Sequence, residues 1–267
     1  MLKPFIKWVG GKSRLLGNLK SHFPLQFNKY YEPFLGGGSV FFGLDVPNPI
    51  ISDVNEKLIT AYRTVRDRPE ELFDLLNGFA DRHSEEFFYK TREHFNNLFS
   101  SNSLQLAAAF LYLNKTCYNG LYRVNRKGAF NSPFNKSSVQ PKWSLDHLQA
   151  CSAALKKAKL DTCSYEEINA TSSDFVYLDP PYDKTYNAYQ SGAFNWHKKG
   201  VFCQERLAEF CQSLHNRGVK FLLSNSKTNL ILDLYKQFNI FEIEAPRSVS
   251  RDGAKRGSVV ELLIKNY

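Results

Sequence analysis

Long apolar runs are missing from this chain. None of its 267 residues belongs to a stretch approaching the ~20 residues of a membrane-spanning helix. The opening MLKPFIKWVGGKSRLL has neither the apolar core nor the cleavage site of a secretory signal. A cytoplasmic protein is the expectation. Cysteine is sparse: the five (Cys117, Cys151, Cys163, Cys203, Cys211) form no CxxC pair, and an odd count without framework spacing points to reduced thiols. The six histidines make neither HExxH nor a Cys/His ligand pattern, so no metal is expected. Internal repeats and low-complexity tracts are also absent. What remains is a globular balance, 43% apolar and 23% charged.

Acidic residues are missing locally. From His94 to Leu145 there is no Asp or Glu, while Lys115, Arg123, Arg126, Lys127, Lys136 and Lys142 fall inside that stretch. A second basic cluster is RSVSRDGAKR near the C-terminus, and the formal net charge is +9. Such a distribution suits a polyanionic partner, although a solvated basic face would look the same.

Apolar runs of strand length alternate with helical patterns. YYEPFL (30–35) leads into a glycine turn; PIIS (49–52) ends in Asp53 and precedes NEKLITAYRTV; DFVYL (174–178) ends in DPPY. Then come an amphipathic CQERLAEFCQSL, a strand VKFLLSNS, a helical TNLILDLYKQF, and FNIFEIEA with VVELLIKN as an antiparallel pair. Strands alternating with helices predict an α/β fold whose sheet is mostly parallel with an antiparallel C-terminal strand. From about Pro69 to Lys159 the rhythm changes to PEELFDLLNGF, SEEFFYKTREHFNNL and LQLAAAFLYL, followed by the irregular YNGLYRVNRKGAFNSPF. This reads as a helical insertion carrying a basic, aromatic loop. The expected organisation is a sheet domain of residues 1–56 and 161–267 interrupted by a helical domain of 57–160.

Two stretches carry chemistry. In DFVYLDPPY, proline gives no N–H to a sheet and biases its predecessor away from the helical region. Asp179, Pro180, Pro181 and Tyr182 therefore form a stiff exit from a strand, holding a carboxylate, a carbonyl and a ring in fixed relation; alone, it could also be only a rigid turn. In EPFLGGGSV, glycines between a strand and a helix let a ligand approach the backbone. Asp53, at the end of the next strand, is placed to accept hydrogen bonds from ribose hydroxyls. A dinucleotide GxGxxG from Gly36 would need glycine where Phe41 stands. A phosphate loop ending Gly11-Lys12-Ser13 would need it where Ile6 stands. A nucleoside ligand without phosphate, such as S-adenosylmethionine, fits this pattern.

Together these residues resemble the DNA adenine-N6 methyltransferase (Dam) family, the α-ordered, D12-type class. The resemblance runs in order through FIKWVGGK (5–12), EPFLGGGSV, ISDVN, FLYLNKTCYNGLYRVNRKGAFNSPF (110–134), FVYLDPPY, LSNS (223–226) and RSVS with VVELL. It implies a Rossmann-like methyltransferase sheet with an inserted helical target-recognition domain and a β-hairpin loop. It also implies methyl transfer from S-adenosylmethionine to N6 of a flipped-out adenine in double-stranded DNA. A single chain suffices, since each strand of a palindromic site can be modified in turn, and a monomer is the expectation. Asp179, Pro180, Pro181 and Tyr182 would be catalytic. Trp8, Lys12, Pro33, Phe34, Gly36, Gly38, Asp53, Ser164 and Tyr165, with Asp179, would line the cofactor site. Lys7, Tyr118, Asn119, Leu121, Arg123, Pro133 and Lys136 would meet DNA; in GATC enzymes of the family the residues matching Lys7 and Arg123 read guanines. Many relatives continue PFG[RK], whereas this chain reads PFNKSS, so at Asn135 and Ser137 one flank or first-base contact is not carried over. The same chemistry on another GAT-containing site, on cytosine N4 or on RNA adenine is the alternative.

Overall fold

A computed structural model describes residues 1–183, 202–246 and 258–267. The basic RSVSRDGAKR stretch lies outside the described residues. Among the described residues, seven strands form one sheet in the order β3-β2-β1-β4-β5-β7-β6, with β1 Tyr30–Glu32, β2 Pro49–Ser52, β3 Lys159–Asp161, β4 Phe175–Leu178, β5 Lys220–Ser226, β6 Asn239–Pro246 and β7 Ser258–Lys265. The pairs β3·β2, β2·β1, β1·β4 and β4·β5 are parallel, and β7 runs antiparallel between β5 and β6. The expected sheet is present. β3 is an addition to it, recruited by register with β2 rather than by an apolar run of its own.

β1 stops where it does because Pro33 follows Glu32 and has no N–H to continue the ladder. Along β4, side chains alternate between faces. Val176 and Leu178 pack with Leu207, Cys211 and Leu214 of α8 (Gln204–Asn216). Phe175 and Tyr177 pack on the other side with Leu15, Leu16, Leu19 and Val40. Both faces are covered, which is why FVYL is apolar throughout.

Between β2 and β3 lie α3 Glu56–Asp67, α4 Pro69–Asp81, α5 Glu85–Asn97, α6 Ser103–Thr116 and α7 Leu145–Leu155. They share one apolar cluster with Ile51 of β2 and Leu160 of β3. The helix α6 is its axis: residues Leu106 to Leu113 are buried all round, so its sequence shows no polar stripe. Side-chain caps from Asn55, Ser84 and Ser144 start α3, α5 and α7 by accepting an otherwise unpartnered backbone N–H.

The stretch 110–134 divides. Its part up to Thr116 completes α6, and the hairpin proper runs from Cys117 to Phe134. It is held by isolated bridges, Cys117 with Phe134 and Val124 with Phe130, rather than by a continuous ladder. Pro133 interrupts the donor series, yet its carbonyl still accepts the Tyr118 N–H at 2.9 Å. From α5, Asn96 grips the far strand: its amide accepts the Phe130 N–H at 2.8 Å and donates to the Phe130 carbonyl at 3.1 Å.

Candidate active site

The carboxyl ends of β1, β2, β3 and β4 meet along one edge of the sheet, and the chain order reverses between β1 and β4. A crevice at such a reversal is where open α/β sheets receive ligands. The glycine loop follows β1, Asp53 follows β2, Ser164 and Tyr165 follow β3, and DPPY follows β4.

The loop after β1 is tied to the end of β2. Asp53 accepts the Gly36 N–H at 3.0 Å through one carboxylate oxygen and the Asn55 N–H at 2.9 Å through the other. Tyr62 of α3 donates its hydroxyl to the Gly36 carbonyl at 3.0 Å. Gly36 has φ +47° and Gly38 φ +68°; a Cβ on Gly36 would lie 2.7 Å from the Trp8 ring. Glycine is therefore required by conformation and by the approach of Trp8. Burial pushes the Asp53 carboxyl up to about 6, against backbone hydrogen bonds from Asn55, Gly36 and Val54.

Trp8 stacks at 5.4 Å on Tyr122 of the hairpin and at 6.5 Å on Phe110 of α6. Pro33 and Phe34 are buried, and Phe34 stacks at 5.3 Å on Tyr165. Ser164 caps the turn of Tyr165–Glu167 through a capping box. The Ser164 hydroxyl is thus occupied by the turn, and the Tyr165 ring by the core.

Lys12 is the centre of the charged part, buried to 4% exposure. Its ammonium donates to the Gly10 carbonyl at 2.8 Å, pairs with the Asp179 carboxylate at 2.9 Å, lies 3.9 Å from Glu261, and sits 4.8 Å from the Tyr182 ring centre. Tyr182 donates its hydroxyl to Glu261 of β7 at 2.9 Å. Burial raises the Asp179 carboxyl above the ordinary range, and the Lys12 ammonium opposes that shift. The exit itself is fixed by amides. Gln204 donates to the Pro181 carbonyl at 2.8 Å and accepts from Asn225 at 3.0 Å, while among the described residues nothing donates to the Pro180 carbonyl.

On the same side, Lys7 is exposed but lies against Gly120 of the hairpin. Tyr118 is 57% exposed, Asn119 and Lys136 are exposed with positive φ, and Pro133 is exposed. Leu121 is half-buried, its carbonyl accepting the Ser132 hydroxyl. The Arg123 guanidinium rests on Asn131, at 2.7 Å from its side-chain oxygen and 3.1 Å from its carbonyl.

Two acids were not found from sequence. Glu261 in VVELL and Glu32 in YYEPFL each interrupt an apolar strand, which is the signal that would have found them. Glu32 is buried below Asp179 and accepts the Tyr30 hydroxyl at 2.9 Å. Burial pushes it up to about 8; the Tyr30 hydrogen bond works against this, and repulsion from Asp179 adds to it.

A family model described as D12 class N6 adenine-specific DNA methyltransferase matches residues 8–249. The Type II methyltransferase M.MjaIII of Methanocaldococcus jannaschii is 37% identical over 290 positions, covering 100% of this chain and 99% of that one. The Type II methyltransferase M1.LlaDCHI of Lactococcus lactis is 33% identical, covering 100% and 96%. The DNA adenine methylase of Escherichia coli K12 is 34% identical, covering 98% and 94%.

The buried Glu32 makes stability depend on pH. Folding raises its pKa from an ordinary 4.5 to about 8, so the folded chain keeps a proton that the unfolded chain releases. Its stabilising contribution is complete below about 4.5 and is lost as the pH rises through 8. Glu32→Gln keeps the shape and removes the titration. In urea unfolding, the variant is expected to gain on the parent steadily from pH 5 to pH 8; parallel pH profiles would contradict this.

Proposed function

Because the chain belongs to the D12 class of N6 adenine-specific DNA methyltransferases, we propose that it methylates N6 of an adenine flipped out of duplex DNA, within the sequence GATC. The observation that carries this reading is the juxtaposition of the Asp179 carboxylate and the Pro180 carbonyl, which has no donor among the described residues, at the carboxyl end of β4, next to β1 and its glycine loop. A base stacked in a duplex cannot reach such a recess, so the target nucleotide must leave the helix.

The residues fit S-adenosylmethionine in kind. Asp53 retains lone-pair capacity for ribose hydroxyls beyond its backbone hydrogen bonds. The Gly36–Gly38 turn admits a ligand close to the backbone, and Lys12 is a buried cation suited to the carboxylate of an amino-acid tail. Pro33, Phe34 and Trp8 shape the apolar wall, with Ser164 and Tyr165 supporting it from the β3 side. When bound, the cofactor supplies a methyl group on a positively charged sulfur.

The work of the protein is placement. The lone pair of an adenine amino group is delocalised into the ring, so the nitrogen is a poor nucleophile. Asp179 and the Pro180 carbonyl accept its two N–H bonds, drawing the nitrogen toward tetrahedral geometry and aiming its lone pair. Pro181 stiffens the exit, and the Tyr182 ring, its hydroxyl held by Glu261, offers a face for the base. Catalysis then rests on orientation and fixed electrostatics. Lys12 pairs with one oxygen of Asp179; an anionic tail bound beside it would compete for that ammonium and free the oxygen.

The recognition surface is the hairpin with Lys7. Lys7 and Arg123 reach guanine O6 and N7 in the major groove, the preferred partners of cationic side chains. Tyr118 fills the space beside the flipped base, Asn119 positions the backbone, and Leu121 and Pro133 meet a thymine methyl. Lys136 adds phosphate attraction. A longer GAT-containing site is the second reading, favoured by PFNKSS: Asn135 caps the Ser137 N–H at 2.9 Å in place of a charged flank. The lobes work as a cytoplasmic monomer in this scheme, residues 57–160 holding DNA and residues 1–56 with 161–267 carrying the chemistry. Among the described residues, no helix is long and apolar enough to cross a membrane.

Two outcomes test this. Asp179→Ala is expected to abolish transfer of labelled methyl to a GATC duplex while duplex affinity changes little; an active variant would remove the mechanism. Arg123→Ala is expected to relax preference at one base pair, by about 1–3 kcal/mol in competition assays on singly altered duplexes. Equal weakening on every duplex would make Arg123 a phosphate contact.

A further inference from the structure

Asn114 is an amide in the apolar run FLYLNKT of α6, 3% exposed. Its hydrogen bonds leave its own helix. The side-chain oxygen accepts the Lys7 N–H at 2.9 Å, and the side-chain nitrogen donates to the Lys7 carbonyl at 2.8 Å and to the Gly120 carbonyl at 3.4 Å. One side chain therefore pairs with both backbone groups of Lys7, as a neighbouring strand would, and reaches the hairpin turn at the same time. The two segments it joins are more than a hundred positions apart.

Gly120 completes the arrangement. It has φ +63°, and a Cβ there would meet the Lys7 side chain at 2.6 Å (Cδ), 3.1 Å (Cβ) and 3.4 Å (Cγ). The Lys7 stem thus lies flat on bare backbone, and any larger residue would lift it. The Lys7 ammonium itself makes no hydrogen bond or ion pair among the described residues. So the root of the side chain is clamped, its stem is tracked, and its charged end is left over.

We propose that Asn114 and Gly120 are positioning residues for base discrimination, which fix the reach and direction of Lys7 toward one base pair of the target. This rests on the reading of Lys7 as a guanine reader. A flexible lysine on an unpinned segment would find phosphate as readily as a base edge, because an ammonium is a point charge without directional geometry. Selectivity from a lysine needs its direction supplied by the scaffold, and the clamp supplies it.

The test is a set of competition assays on duplexes altered at each position of the site, using Lys7→Ala, Asn114→Asp and Gly120→Ala singly and in the Lys7→Ala background. Asn114→Asp keeps the acceptor for the Lys7 N–H and removes both donated bonds. Gly120→Ala lifts the stem while leaving the Asn114 side chain and its two bonds to the Lys7 backbone in place, and serves if the Asn114 variant does not fold; S-adenosylmethionine binding checks the fold of each. Lys7→Ala is expected to lower discrimination at one base pair about tenfold. Asn114→Asp and Gly120→Ala are expected to lower it severalfold at that same pair alone, and to change nothing further once Lys7 is alanine. If they slow all duplexes equally, or still act in the Lys7→Ala background, their role is merely structural and the inference falls. If Lys7→Ala leaves every preference intact, the reading of Lys7 falls first and takes the inference with it.

Discussion

The parallel pairing of β1 with β4 is the constraint on which the site depends. Tyr30 faces Phe175 and Tyr31 faces Val176, although the helical insertion lies between them in the chain. The pair is locked from below, where the Asn28 N–H donates to the Ser173 carbonyl and the Phe175 N–H to the Lys29 carbonyl, while Asp174 accepts from Lys29 and Thr171. With that register set, the residues after Glu32 and after Leu178 emerge side by side. The glycine turn and the Asp179 exit then leave the sheet at the same end of adjacent strands.

Charge burial is the cost of this arrangement and also its use. Lys12, Asp179, Glu261 and the Tyr182 hydroxyl form one cluster in which one cation faces two acids. Removing a partner from such a cluster leaves an uncompensated charge, so its members constrain one another. Glu32 below it escapes the same problem by holding its proton, and its hydrogen bond with Tyr30 fixes it there. The surplus of acid suits a cationic ligand.

The elements with strong local signals were legible: apolar strand runs ended by Pro33 or by DPPY, capped amphipathic helices, and the antiparallel closing pair. β3 was not, since Lys159–Asp161 has no apolar run and exists through its register with β2. Nor was the end of TNLILDLYKQF: the helix stops at Leu234, and Tyr235 and Phe238 are buried through turns rather than helix. Asp179, Asp53 and the glycines could be named as candidates because each sits beside a backbone feature that sequence encodes, and Lys12 only through the family resemblance. Glu261 and Asn114 could not, because their partners, Tyr182 and Lys7, are supplied by strand and helix packing across the fold. Their trace in the sequence is a polar residue inside an apolar run, which by itself names no partner.

The most direct measurement is single-molecule sequencing of plasmid DNA from a methylation-deficient host expressing this chain. The expected result is N6-methyladenine at GATC on both strands and at no other motif. Methyladenine confined to a different motif would contradict the recognition assigned to Lys7 and Arg123. Unmodified DNA from cells containing folded protein that binds S-adenosylmethionine would contradict the assignment of duplex DNA as its substrate.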